Sequence, residues 1–235
     1  MCIASGGIVT RFTKHLTDLK LRICEAAAAA GRSENDVSIL AVSKRHGVDA
    51  VHEAVSAGLR AMGENYVQEA LDKMPQCDPS IEWHFIGRIQ SNKTRQIAGN
   101  FSWVQTVCAD RVARRLSEQR PDGLPELNVC VQVCIDGDTT HGGVMPDDVA
   151  KLCRTIEDLP RLKLRGLMTI PGAEDDPGAQ RLLFRALREL RDELLAAGHE
   201  LDTLSMGMTN DLEAAVLEGS TMLRIGTALF GPRPV

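Results

Sequence analysis

Aromatic residues make up only 3% of this 235-residue chain, and tyrosine occurs once. That scarcity removes the stacking platforms on which proteins hold single-stranded nucleic acid. A basic excess is missing too: the formal net charge is −5, which excludes a broad footprint for a polyanion. No apolar stretch approaches the roughly 20 residues that cross a bilayer. The N-terminus, Met1-Cys2-Ile3-Ala4-Ser5-Gly6-Gly7, lacks the charged and apolar regions of a secretory signal. The seven cysteines form no Cys-x-x-Cys pair. Cys130 and Cys134 share one face of a strand-like run with no histidine or carboxylate at ligand spacing, so they read as core. A reducing cytoplasm is the simplest compartment, with neither nucleic acid nor membrane as partner.

What is present is an alternation. The hydrophobic fraction of 43% is ordinary for a globular protein. A first helix spans residues 9–30 and stops at Gly31. Strand-like apolar runs follow at 37–43, 58–63, 81–87, 103–107, 127–135, 162–170, 203–208 and 222–226. Helical patterns separate them at 48–57, 67–74, 92–98, 111–119, 147–158, 177–197 and 211–218, with a short last helix from Ala228. Ser91 or Asn92, Asp110 and Asp147 stand where N-caps belong. Eight strand–helix units in this length predict a single α/β domain over residues 1–235, a (β/α)8 barrel with an extra N-terminal helix over 1–31. An open doubly wound sheet would show a Gly-x-Gly-x-x-Gly turn after its first strand, and none is there.

The first strand ends on Lys44. An amine aimed beyond a strand end either marks the exit to solvent or, when desolvated, attacks an aldehyde to form a Schiff base. In a barrel, functional residues gather where strands end. At those ends stand Glu64-Asn65, Ser205-Met206-Gly207 and Arg224-Ile225-Gly226-Thr227. Gly226-Thr227 precedes a helix start, which suits an anion such as a phosphate, with Ser205 adding a hydroxyl and Gly207 permitting close approach. Arg224 needs a partner: a carboxylate such as Glu64 or Asp211, or an atom of a ligand. Glu64 reads as the partner of a neighbouring cation. His84 reads as a core histidine satisfied by a backbone group.

An aldehyde-reactive lysine, an anion cradle across the mouth and an arginine between them describe a site for pyridoxal phosphate (PLP). The stretches Ala41-Val42-Ser43-Lys44, Gly63-Glu64-Asn65-Tyr66, Trp83-His84-Phe85-Ile86-Gly87, Gly166-Leu167-Met168-Thr169-Ile170, Leu204-Ser205-Met206-Gly207-Met208 and Arg224-Ile225-Gly226-Thr227 resemble, in order and over nearly the whole chain, the pyridoxal phosphate homeostasis proteins. The resemblance implies the PLP fold type III barrel of alanine racemase. It implies Lys44 as the covalent Schiff-base residue, Ser205, Gly226 and Thr227 around the phosphate, Arg224 facing the pyridine nitrogen and Asn65 lining the ring pocket. It further implies a monomer or weak dimer that buffers PLP and delivers it to apo-enzymes. The alternative is an amino-acid racemase, which needs a second acid/base group. Related racemases supply a tyrosine from another domain, whereas Tyr66 is the one tyrosine here. A sugar-phosphate enzyme with a Schiff-base lysine is a third class. The chain departs from the family pattern in accessory lysines. Arg45-His46 follows Lys44, and His141 stands where a lysine is usual, so cofactor exchange is expected to differ.

Overall fold

The computed structural model describes residues 10–232. Its eight strands are β1 Ser38–Val42, β2 Ala61–Glu64, β3 Glu82–Phe85, β4 Trp103–Val107, β5 Leu127–Gln132, β6 Leu162–Met168, β7 Thr203–Ser205 and β8 Met222–Ile225. They close into one barrel in chain order, and β8 pairs parallel with β1. The helices are α1 Arg11–Ala29, α2 Val48–Ser56, α3 Val67–Lys73, α4 Thr94–Asn100, α5 Asp110–Gln119, α6 Pro146–Glu157, α7 Pro177–Ala196, α8 Leu212–Leu217 and α9 Thr227–Phe230.

The period of two along each strand divides side chains between two environments. Ala41, Met62, Phe85, Val104, Val129, Leu204 and Ile225 join the large core beneath the helices. Their neighbours turn into the barrel, where apolar residues form two small clusters. One holds Leu40, Val42, Ile86 and Met222; the other holds Trp103, Cys130 and Met168. Polar side chains occupy the space between, and they matter below.

All eight expected strands exist. All but β4 are shorter than the apolar runs: after β5, β6 and β7 burial continues past the last strand residue into loops over the mouth, whereas β2 starts three residues into its run and ends one residue past it. Val133 and Cys134 are buried yet lie beyond β5; Val133 bridges to Val144, and its N–H still donates to the Met168 carbonyl at 2.8 Å. None of the expected caps is one. The caps of α4, α5 and α6 are Lys93, Ala109 and Met145, while Asp110 and Asp147 sit inside the first turn. There they still favour the positive end of the helix dipole. Helix α1 is capped by Thr10, whose hydroxyl accepts from the Thr13 N–H at 3.2 Å. Position 9, expected as its start, lies outside the described residues. Phe12, Leu16, Leu19 and Ile23 recur at helical spacing and are buried, each contributing about 1.5–3 kcal/mol by burial. They seat α1 against α8 and α9.

Glu218 ties α8 to α7. It is only 1% exposed. It accepts from Arg181 at 2.8 Å and Arg185 at 3.0 Å, with Arg188 at 3.5 Å. Burial pushes this carboxyl up, but the hydrogen bonds from Arg185 and Arg181 outweigh it and hold it below the ordinary carboxylate range. A depressed folded-state pKa contributes stability above the unfolded value and loses it as pH falls through the folded one. Glu218→Gln is expected to cost about 1–2 kcal/mol at neutral pH. It should also flatten the loss of stability below about pH 4.3. Urea unfolding of both proteins across that range checks this; parallel pH profiles would contradict it.

Candidate functional site

Lys44 lies half-buried in the turn directly after β1. The next residue, Arg45, has φ 64°, a left-handed conformation that reverses the chain. This turn is fastened on both sides of the lysine. Before it, the Ser43 carbonyl accepts from Lys73 Nζ at 2.9 Å. After it, the Arg45 N–H donates to Glu69 Oε1 at 2.5 Å. Lys73 joins the two sides, donating at 2.7 Å to Glu69 Oε1 and at 2.7 Å to Glu64 Oε1. The Ser43 hydroxyl donates to that same Glu64 oxygen at 2.7 Å. Burial pushes the Glu64 carboxyl up, against the pull of Lys73 and Ser43. Glu64 is thus a partner for a cation, as its sequence position suggested, and the cation is Lys73.

Strand β8 brings the second half of the site. Ala41 pairs with Ile225, so the turn after β8 lies beside the turn after β1. A Cβ on Gly226 would stand 3.4 Å from the Val42 carbonyl oxygen. The expectation of an anion cradle across the mouth from Lys44 is corrected: Gly226 and Thr227 are its lateral neighbours. Gly226 caps α9, and Thr227 is exposed at its first position. His46 packs on Phe230 of α9 at 5.0 Å, and Phe230 meets Phe12 of α1 at 5.4 Å. The N-terminal helix therefore backs both turns.

Arg224 is buried inside the barrel. Nη1 donates to the Ser205 carbonyl at 2.6 Å and the Ser205 hydroxyl at 2.9 Å, and Nη2 donates to the Thr169 carbonyl at 2.7 Å. Neither carboxylate expected as its partner bonds to it; Asp211 acts only through its charge. Burial pulls the guanidinium down to about 10, which leaves it charged at neutral pH.

Two expected phosphate-side residues behave differently from their sequence reading. Ser205 is fully buried, and its hydroxyl donates to Gln105 Oε1 at 2.6 Å while accepting from Arg224. Its one proton is therefore spent inside the barrel. Gly207 has φ 97°, and a Cβ there would meet Ala215 Cβ at 2.5 Å and Leu223 Cδ2 at 2.6 Å. The close approach it permits is to α8 and β8. Asn65, just past β2, is half-buried, and its Oδ1 is a buried acceptor with no internal partner. It borders a cavity of about 420 Å³ also lined by Tyr66, Gln68, Arg88, Gln90 and Lys93.

Lys73, Glu69, Gln105 and Thr169 were not singled out in the sequence. A glutamine amid the apolar residues of β4 was the available signal for Gln105. For Lys73 it was the Glu69–Lys73 spacing on the helix following Glu64. His84 is a core histidine, but its partners are the side chains of Glu82 and Gln105, each at 2.9 Å. Cys130 and Cys134 are buried, and burial pushes the Cys130 thiol up to about 12. Among the described residues no cluster of His, Cys, Asp or Glu is placed to hold a metal. His141 is exposed at the end of the short turn Thr139–His141.

The family described as "Alanine racemase, N-terminal domain" matches residues 18–234. The pyridoxal phosphate homeostasis protein of Pseudomonas aeruginosa is 52% identical over 226 residues, covering 96% of this chain and 97% of that protein. Its counterpart from Vibrio cholerae is 45% identical over 227 residues, 94% of this chain and 95% of that one. The structure of PipY from Synechococcus elongatus with PLP bound superposes with a TM-score of 0.80 at 34% identity, covering 89% of this chain and 100% of that one. An alanine racemase of Clostridium difficile shares the fold, with a TM-score of 0.75 at 16% identity over 94% of this chain and 58% of that one.

Lys73→Met is expected to destabilise by about 3–5 kcal/mol, because it leaves Glu64 buried without its cation. Removing both charges in Lys73→Met/Glu64→Leu should recover most of that loss. Denaturant midpoints of the two single variants and the double variant test the coupling; strict additivity would refute it.

Proposed function

The chain belongs to the family of pyridoxal phosphate homeostasis proteins, and on that premise we propose that it binds PLP reversibly at Lys44 as a carrier and buffer rather than as a catalyst. The observation that carries this reading is the pairing of β1 with β8, which sets an amine-bearing turn beside a glycine-led helix start. The residues fit the cofactor's groups. PLP supplies a reactive aldehyde, which condenses with a primary amine. Lys44 offers the amine, and Gly226 and Thr227 offer backbone and hydroxyl donors to the phosphate. Arg224 would face the pyridine nitrogen, and Asn65, whose Oδ1 has no internal partner, would line the ring pocket. On the β7 side Ser205 braces Arg224, and Gly207 lets that turn pack against α8 and β8. A permanent cation beside the ring nitrogen disfavours its protonation. The ring is then a weaker electron sink, the property most PLP enzymes exploit.

A racemase also needs a second acid/base group facing the substrate carbon. The one tyrosine, Tyr66, is 50% exposed and lines the neighbouring cavity with Arg88 and Lys93. No helix among the described residues is long and apolar enough to cross a membrane. We place the protein in the cytoplasm as a monomer or weak dimer, with apo-enzymes that use PLP as recipients.

Protein incubated with PLP is expected to show a visible chromophore that borohydride fixes onto Lys44, identified by peptide mass, and Lys44→Ala should show neither. Incubation of the loaded protein with L-alanine should give no D-alanine. Saturable racemisation that disappears in Lys44→Ala would reverse the assignment to a carrier.

A further inference from the structure

The barrel interior holds a row of polar side chains between its two apolar clusters. We propose that Gln105, His84 and Glu82 are positioning residues for Arg224, joined to it by a hydrogen-bond chain polarised in one direction, through which a carboxylate at the opposite mouth balances the arginine's charge. The proposal rests on the reading that Arg224 faces the cofactor ring.

Each link has its direction set by chemistry. A guanidinium only donates, so Arg224 Nη1 donates to Ser205 Oγ at 2.9 Å. The hydroxyl then has one proton, which it gives to the Gln105 carbonyl oxygen at 2.6 Å. That orients the amide, whose Nε2 donates to His84 Nδ1 at 2.9 Å. With Nδ1 accepting, the ring proton sits on Nε2 and points at Glu82 Oε1, 2.9 Å away. Four donors thus face the same way, from the guanidinium to a carboxylate, and neighbouring dipoles in such a chain reinforce one another. Burial drives the His84 imidazole toward its neutral form, and stacking on Trp103 at 5.0 Å fixes its plane. Glu82 opens β3, while Arg224 stands near the end of β8, so the chain climbs the barrel from one mouth toward the other.

This resolves an electrostatic oddity. A buried guanidinium held only by neutral oxygens is costly. Asp211 favours the charged form through its own charge; the polarised chain adds the negative end of each dipole and ends on Glu82, a second carboxylate that is half-exposed and remote. Glu82 can therefore be altered at a distance from Arg224, through its one contact with His84 on the chain.

Glu82→Gln keeps a hydrogen-bond acceptor for His84 and removes only the charge, so a purely structural role would not register it. Expected results are weaker PLP binding by roughly 3- to 10-fold, in the range for residues coupled within one hydrogen-bond network, and a shifted absorbance maximum of the bound cofactor. Glu82→Asp should restore both, and Gln105→Leu should shift both further. In the cofactor-free protein, nitrogen NMR should show His84 Nδ1 unprotonated. A protonated Nδ1 overturns the chain. Unchanged affinity and absorbance in Glu82→Gln and Gln105→Leu, with native circular dichroism, overturn the charge balance. Arg224→Gln separates the premise: if it also leaves the absorbance unchanged, the ring-facing reading fails, whereas Lys44 labelling still reports carrier binding.

Discussion

The parallel pairing of β1 with β8 is the contact on which the molecule turns. It closes the barrel, and by the same register it sets the turn bearing Lys44 beside the turn bearing Gly226 and Thr227. Had β8 slipped by one residue along β1, Arg224 would face the helices rather than the interior, because strand side chains alternate. The two turns then share supports. His46 rests on Phe230, Phe230 on Phe12, and α1 carries the assembly from outside. The extra helix is in this sense a buttress for the mouth.

Two of the buried cations, Lys73 and Arg224, are accommodated in different ways. Lys73 sits against two carboxylates, Glu64 and Glu69, in direct contact. A compact ammonium with three donors suits that arrangement, and it reaches the Ser43 carbonyl as well. Arg224 instead meets neutral oxygens at the end of β7 and just past the end of β6. The difference follows position. Lys73 lies outside the barrel wall, behind the Lys44 turn, where charge pairing has no cost to the pocket. Beside the pocket a carboxylate would repel an anionic ligand, so the counter-charge is better kept distant.

Legibility in the sequence tracked distance along the chain. Strand order and barrel closure were readable because each apolar run and its following helix are local patterns. That Lys44, Gly226 and Thr227 meet at one face was readable because strand ends in a barrel converge there. The lateral placement of the anion turn was misjudged, since neighbourhood in a barrel depends on closure between first and last strands. The commitments of Ser205 to Gln105, 100 residues away, and of Arg224 to Thr169, 55 away, had no local signature. Gly207 looked like a ligand-facing glycine and is a packing glycine, because side-chain volume at Ala215 and Leu223 is invisible in a one-dimensional pattern. The ends of β5, β6 and β7 were over-read for a related reason: burial persists in the mouth loops after the strand has ended.

Rigid support and open access together suit a protein that must both hold and release. Lys44 is fixed by bonds to the peptide groups on either side, and Arg224 by three bonds, so little reorganisation is needed on binding. Meanwhile Arg45, Gly47 and Thr227 at the rim are exposed. Water can reach a mouth of that kind, and water is what hydrolyses an imine. An enzyme gains by excluding it. A carrier needs it, since release is the reverse of capture. The arrangement therefore favours a bound state set by preorganised contacts and an exchange rate set by solvent access, with the two properties adjustable through different residues.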